Sequence, residues 1–123
     1  MTIINWRSFQ NSLKYAANGL KYAYSHEQNF RLQTAAAILV IICIGIFRVE
    51  RRDIFILILL IGSVMVLELI NTAMEHFLNV VEPKIHILAQ AIKDVMAAAV
   101  LLSSICALIL GVMIFWPYIR ALW

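Results

Sequence analysis

The chain has 123 residues, 63% of them hydrophobic and 14% charged, with a formal charge of +3 at neutral pH. An ordinary soluble domain is about 25% charged, so this composition excludes one and leaves no length for two; it is that of a single integral membrane domain spanning residues 1–123. The positive balance does not signal nucleic acid, because the bases are scattered and no basic cluster or aromatic nucleic-acid motif accompanies them.

From about residue 7 to 25 the chain reads as an amphipathic helix. Phe9, Leu13, Ala17, Leu20 and Tyr24 share one arc at helical spacing, and Arg7, Lys14 and Lys21 form a stripe beside it. Such a helix lies along headgroups with its bases toward anionic lipid. Gly19 costs about 1 kcal/mol against alanine there, which close packing would justify. Tyr15, Tyr22 and Tyr24 read as interface anchors. No cleavable signal peptide is expected, since this amphipathic, charged start delays the first apolar run too long for one.

Three apolar runs follow. The first, Leu32 to Phe47, is uncharged for 16 residues between Arg31 and Arg48. That length covers about 24 Å of a roughly 30 Å hydrocarbon core, and the flanking arginines can snorkel to close the gap. A short turn, Arg48 to Asp53, makes an antiparallel hairpin with the second run, Ile54 to Leu78. A loop from about Asn79 to Asp94 contains Pro83, and Ile85, Leu88 and Ile92 give it weak helical periodicity. The third run, Val95 to Ile119, is uncharged for 25 residues and ends at Trp116, Pro117, Tyr118 and Arg120, side chains favoured at a membrane boundary. The expected architecture is all-α: one surface helix and three transmembrane helices over about 32–47, 54–78 and 95–119. Six bases (Arg7, Lys14, Lys21, Arg31, Lys84, Lys93) flank one side and four (Arg48, Arg51, Arg52, Arg120) the other, which favours a cytoplasmic N-terminus. Cys43 and Cys106 lie far apart inside apolar runs and read as packed thiols rather than a disulfide or zinc site.

The polar residues inside these runs carry the chemistry. A carboxylate at the centre of a membrane helix costs roughly 2.5–3.5 kcal/mol even on a lenient scale, so one that persists there has a function to explain it. Glu68, Asn71 and Glu75 stand at i, i+3 and i+7, on one helix face. Counted from Asp53, Glu68 lies roughly 22 Å deep and Glu75 roughly 33 Å, so Glu75 reaches the inner interface while Glu68 stays inside the bilayer. Glu27, before the first run, and Lys93 and Asp94, before the third, arrive at the level of Glu75.

Two carboxylates at a water boundary suit Mg²⁺ together with phosphate oxygens. A lysine beside them suits phosphate, and a recessed carboxylate can accept the proton of a lipid hydroxyl. Each residue also has a structural reading: Glu68 as interhelical glue bonded to Asn71 or Thr72, Glu27 and Glu75 as solvated helix ends, Asp94 as the N-cap of the third span, His86 as a loop histidine, and Met65, Met74 and Met96 as gap-fillers. A proton-coupled transporter using Glu68, or a non-catalytic subunit, would fit the recessed carboxylate alone. Neither explains the convergence on one interface. Gly19, Gly45, Gly62 and Gly111 are isolated, so no glycine-rich loop cradles phosphate.

The stretch Glu68-Leu69-Ile70-Asn71-Thr72-Ala73-Met74-Glu75, with Ala91-Ile92-Lys93-Asp94-Val95-Met96-Ala97-Ala98-Ala99-Val100, resembles the bacterial diacylglycerol kinase/undecaprenol kinase family. His26-Glu27-Gln28-Asn29-Phe30-Arg31 and Gly19-Leu20 extend the likeness over about residues 7–118. It implies a homotrimeric kinase of the bacterial inner membrane that moves the γ-phosphate of MgATP onto a membrane lipid alcohol, with its site facing the cytoplasm and shared between subunits. By motif, Glu68 resembles the catalytic base and Glu27 and Glu75 the metal carboxylates. Lys93 and Asp94 match nucleotide-binding positions with them, and Asn71 one that lines the site. Asn79 stands where many relatives carry aspartate. Ala17, Gln33 and Ala91 replace a tryptophan, an acidic residue and an arginine of the diacylglycerol branch. Leu67-Glu68-Leu69, His76 and the Gly111…Phe115-Trp116-Pro117 ending look more like the undecaprenol branch, which points to undecaprenol as acceptor ahead of diacylglycerol.

Overall fold

The computed structural model describes residues 3–81 and 86–123. Four helices succeed one another: α1 (Trp6–His26), α2 (Gln28–Phe47), α3 (Arg51–Val81) and α4 (His86–Arg120). The last three are long and apolar enough to cross a membrane. Pro83, Lys84 and Ile85, and the side chain of His86, lie outside the described residues.

Asn5 starts α1, its side-chain oxygen accepting from the amides of Arg7 and Ser8 at 3.1 and 3.3 Å, two of the donors that a helix start leaves unpaired. The expected apolar arc is present but uncovered: Phe9, Leu13, Leu20 and Tyr24 are each about half exposed or more, and Ala23 alone in α1 is buried. Something other than this chain must cover that face. Among the described residues nothing lies within 4 Å of a Cβ built on Gly19, so none of them makes the close packing expected there.

One residue separates α1 from α2. Glu27 is extended (φ −109°, ψ 111°). Its N–H donates to Ala23 O at 2.8 Å and its carbonyl accepts from Arg31 N at 3.2 Å. The Arg31 guanidinium reaches back to the carbonyls of Tyr24 and Ser25 at 2.9 and 3.1 Å, closing the end of α1 as bases at helix C-termini do. The surface helix thus turns into the first span without a glycine or proline.

The hairpin between α2 and α3 occupies only Arg48, Val49 and Glu50. Arg48 is left-handed (φ 49°) and caps α2, and Val49 is buried. Tyr118 ties this turn to the far end of α4: its hydroxyl accepts from Glu50 N–H at 3.0 Å and donates to Asp53 Oδ2 at 2.9 Å. Phe47 and Phe115 pack beside it, ring centroids 6.1 Å apart.

Four boundaries differ from expectation by three residues or more. α2 begins at Gln28, four residues before its apolar run, α3 extends three residues beyond its run at each end, from Arg51 to Val81, and α4 begins at His86, nine residues before the apolar run. Asp94 is therefore interior to α4 and does not cap the third span. Hydropathy marks where a helix enters lipid; its backbone hydrogen bonding continues into the polar flank. At 1.5 Å per residue α3 is about 46 Å long, so its last turns stand clear of the hydrocarbon.

The centre of the chain is α3, which packs along α4 and α2, while α1 touches α2. Leu57, Val64, Glu68, Thr72 and Leu78 form its buried face. Few other apolar side chains are enclosed, and most large ones on α2 and α4 point outward. In water this surface would be prohibitive; in hydrocarbon or against further copies it is not.

Candidate active site

The buried face of α3 carries a carboxylate. Glu68 is 1% exposed, and Thr72, one turn on, is also buried, its hydroxyl donating to the Glu68 carbonyl at 2.9 Å. The carboxylate's partner is on α2: Gln33 Nε2 donates to Glu68 Oε2 at 3.1 Å. Neither Asn71 nor Thr72 takes that place, so the interhelical partner is a residue that sequence reasoning passed over. Its signal was present: Gln33 is the sole amide in the first apolar run.

Toward the Glu27 end, His76 leaves α3 in the direction of α1. His76 Nε2 lies 3.8 Å from Glu27 Oε1 and 3.3 Å from the Tyr22 hydroxyl, and Tyr22 stacks on His26 with centroids 4.1 Å apart. Tyr22, read as a membrane anchor, and His76 thus form a small polar knot against Glu27. Glu27 is partly exposed and Glu75 exposed, in contrast to the enclosed Glu68.

On the α4 side of α3, a cavity of about 240 Å³ is lined by Asn71, Glu75, Lys93 and Asp94 with apolar neighbours. Lys93 Nζ donates to Asn79 Oδ1 at 2.8 Å, and Gln90 Nε2 to Asp94 Oδ1 at 2.9 Å. Asn79 therefore serves Lys93 as a neutral acceptor. A second cavity of about 400 Å³ touches Asn29, Gln33, Glu68 and Ser104 and shares Asn71 and Ala97 with the first. A third, of about 490 Å³, is an almost wholly apolar groove along α2, α3 and α4 that meets the second at Gln33 and Ser104. The sequence-predicted residues thus fall in three places: Glu27 at the α1–α2 junction beside His76, Glu68 buried against Gln33 of α2 at a cavity that α4 also lines, and Asn71, Glu75, Lys93 and Asp94 around the cavity between α3 and α4.

Chemically, a polar cavity with a lysine and two acids lies beside a buried carboxylate, and beyond that an oily trough begins. Glu27 and Glu75 offer hard oxygen donors, the kind Mg²⁺ takes beside phosphate oxygens. Among the described residues no three His, Cys, Asp or Glu side chains gather as a closed metal cage. That donor set fits an ion completed by a substrate's oxygens.

The family model described as prokaryotic diacylglycerol kinase matches residues 14–115. An undecaprenol kinase of Bacillus subtilis is 38% identical over 109 residues, 89% of each chain. A diacylglycerol kinase of Synechocystis is 37% identical over 112 residues, 90% of this chain and 64% of its own. The diacylglycerol kinase of Escherichia coli K12 is 29% identical over 104 residues, 85% of each.

Proposed function

Because this chain belongs to the prokaryotic diacylglycerol kinase family, it is a membrane lipid kinase with ATP as co-substrate, and we propose that its preferred acceptor is undecaprenol. The observation that carries this reading is the position of Glu68: buried, at the wall of a cavity that joins a phosphate-suited pocket to an apolar groove. An alcohol whose tail follows the groove brings its hydroxyl to Glu68 at the junction with the pocket. One long hydrocarbon chain suits a single trough, and the B. subtilis relative is named for such an acceptor.

In the reaction, the hydroxyl oxygen of the lipid attacks the γ-phosphorus in line, its proton passes to Glu68, and the bond to the bridging oxygen breaks to leave ADP. Lys93 offsets phosphate charge, with Asn79 holding its ammonium. Asp94, on the same cavity, takes part in nucleotide binding with Lys93, and Asn71 lines the boundary between the pockets. Glu27 and Glu75 are the carboxylates that would hold Mg²⁺, which when bound would supply positive charge to offset that of the ATP phosphates. His76 and Tyr22 fix the Glu27 side chain.

The proposal extends to assembly and placement. The uncovered apolar face of α1 and the outward side chains of α2 and α4 suit a homotrimer in the bacterial inner membrane, with sites shared between neighbours. The excess of bases at the α1 end supports a cytoplasmic position for those sites.

The experiment is transfer of labelled γ-phosphate from ATP by the purified protein in mixed micelles, with undecaprenol and diacylglycerol side by side. Faster labelling of undecaprenol at equal mole fraction is expected. Preference for diacylglycerol would overturn the acceptor, and no label in any lipid alcohol would overturn the kinase.

A further inference from the structure

Gln33 presents an imbalance. Its Nε2 is committed to the Glu68 carboxylate at 3.1 Å, whereas its Oε1 is buried and has no hydrogen-bond partner among the described residues. A buried amide oxygen left without a donor has lost its water and gained nothing in return, and glutamines inside proteins ordinarily have both ends bonded. Here one end alone sets the orientation of the group. A half-turn about the last side-chain torsion, broad and roughly two-fold in glutamine, would exchange nitrogen and oxygen without sacrificing any bond made by Oε1.

That freedom matches what a proton acceptor requires of its neighbour. A carboxylate only accepts hydrogen bonds, whereas a carboxylic acid also donates one. An amide is the uncharged group that answers both: N–H toward the carboxylate, or C=O toward the acid.

We propose that Gln33 is a positioning residue for Glu68, holding its carboxyl group through both halves of proton transfer by turning its amide. Before transfer, Gln33 Nε2–H donates to Glu68 Oε2 and directs the other carboxylate oxygen at the cavity. As the lipid alkoxide oxygen bonds to the γ-phosphorus and ADP departs with the electrons of the broken P–O bond, the hydroxyl proton passes to Glu68. The resulting O–H then donates to Gln33 Oε1 once the carboxyl group and the amide have each made a half-turn, and loss of that proton to water restores the starting pair. Gln33 itself neither gains nor loses a proton. The inference rests on the lipid kinase reading for its consequence in turnover, but the pairing can be read without turnover.

Two variants and two readouts test it. Gln33→Met keeps length and removes both hydrogen-bonding atoms; Gln33→Asn keeps the amide but withdraws it by about one bond length. In each, kcat should fall about tenfold to a hundredfold, the scale set by a misplaced reacting group, with KM for MgATP unchanged and any change in KM for the lipid alcohol smaller than that in kcat. Full kcat in both variants would overturn the proposal, as would a loss confined to KM for the alcohol. Isotope-edited infrared difference spectra, with Glu68→Gln identifying the band, report the Glu68 carboxyl directly. The band should shift in Gln33→Met; an unshifted band refutes the pairing whatever the turnover. A parent protein inactive on every lipid alcohol would sink the kinase reading and leave this spectral test standing.

Discussion

Glu68→Gln separates chemistry from architecture, because the replacement is nearly isosteric. The native carboxylate is 1% exposed and receives one hydrogen bond, from Gln33. A glutamine at this position can still face Gln33 amide to amide, so the contact between α2 and α3 survives. What vanishes is the ability to take a proton. General base catalysis is worth about 10²–10⁴-fold, which is roughly 2.7–5.5 kcal/mol of barrier at 1.36 kcal/mol per decade. Removing a charge from a membrane-buried position should leave stability unchanged or raise it, since burying an ion in low dielectric costs energy that its hydrogen bond only partly returns. The expected pattern is therefore a kcat lower by about two to four decades, unaltered KM for MgATP, and an unfolding midpoint in detergent no lower than that of the parent. Phosphate transfer into the organic phase gives the first two quantities and denaturant titration in micelles the third. A variant with full turnover would remove Glu68 as the base. A variant inactive only because it unfolds would place Glu68 in the scaffold instead.

Other substitutions probe the remaining parts. Glu75→Gln, on the exposed side of the same helix face, should raise the Mg²⁺ concentration needed for half-maximal rate by about tenfold or more, and unchanged metal dependence would speak against its role as a ligand. Tyr118→Phe loses the bonds to Glu50 N–H and Asp53 and should cost about 1 kcal/mol in micellar unfolding. Its activity at temperatures well below unfolding should stay at the parental level, because the tie lies at the opposite end of α3 from the site. Gly19→Ala should add up to about 1 kcal/mol of helix stability, since nothing among the described residues meets the new methyl; a loss of stability in the assembled protein would reveal another copy packed there.

Much of this organisation was legible in the residues. Apolar length identifies spans because hydrocarbon offers a backbone no partners and so demands continuous helix. The i, i+3, i+7 spacing of Glu68, Asn71 and Glu75 survives because it depends on helical pitch alone. The boundary errors share one cause. Gln90, Lys93 and Asp94 lower hydropathy without interrupting hydrogen bonding, so α4 begins a full two turns before the sequence stops looking like a loop. The break at Glu27 was hidden for the opposite reason. It lacks a glycine or proline, and its stability comes from Arg31 reaching back to α1, a contact that composition does not announce.

The lateral pairings were harder to read, yet the hairpin contains enough to obtain one of them. Gln33 precedes Arg48 by 15 residues, and Glu68 follows Asp53 by 15. At 1.5 Å per residue both lie about 22 Å from the turn between α2 and α3, so an antiparallel pair of spans must bring them to the same depth. The same ruler extends to the third span. Tyr118 is bonded to Asp53; Glu75 stands 22 residues along from Asp53 and Asp94 24 residues back from Tyr118, a mismatch of about 3 Å. Depth, then, follows from counting along straight helices once one end is pinned. Which face meets which does not, because a shift of one residue turns a side chain by about 100°. Glu68 sits among α2 and α4 rather than in lipid because Leu57, Val64, Thr72 and Leu78 hold that face of α3 inward, and it is their packing that converts a costly buried acid into one aimed at a cavity.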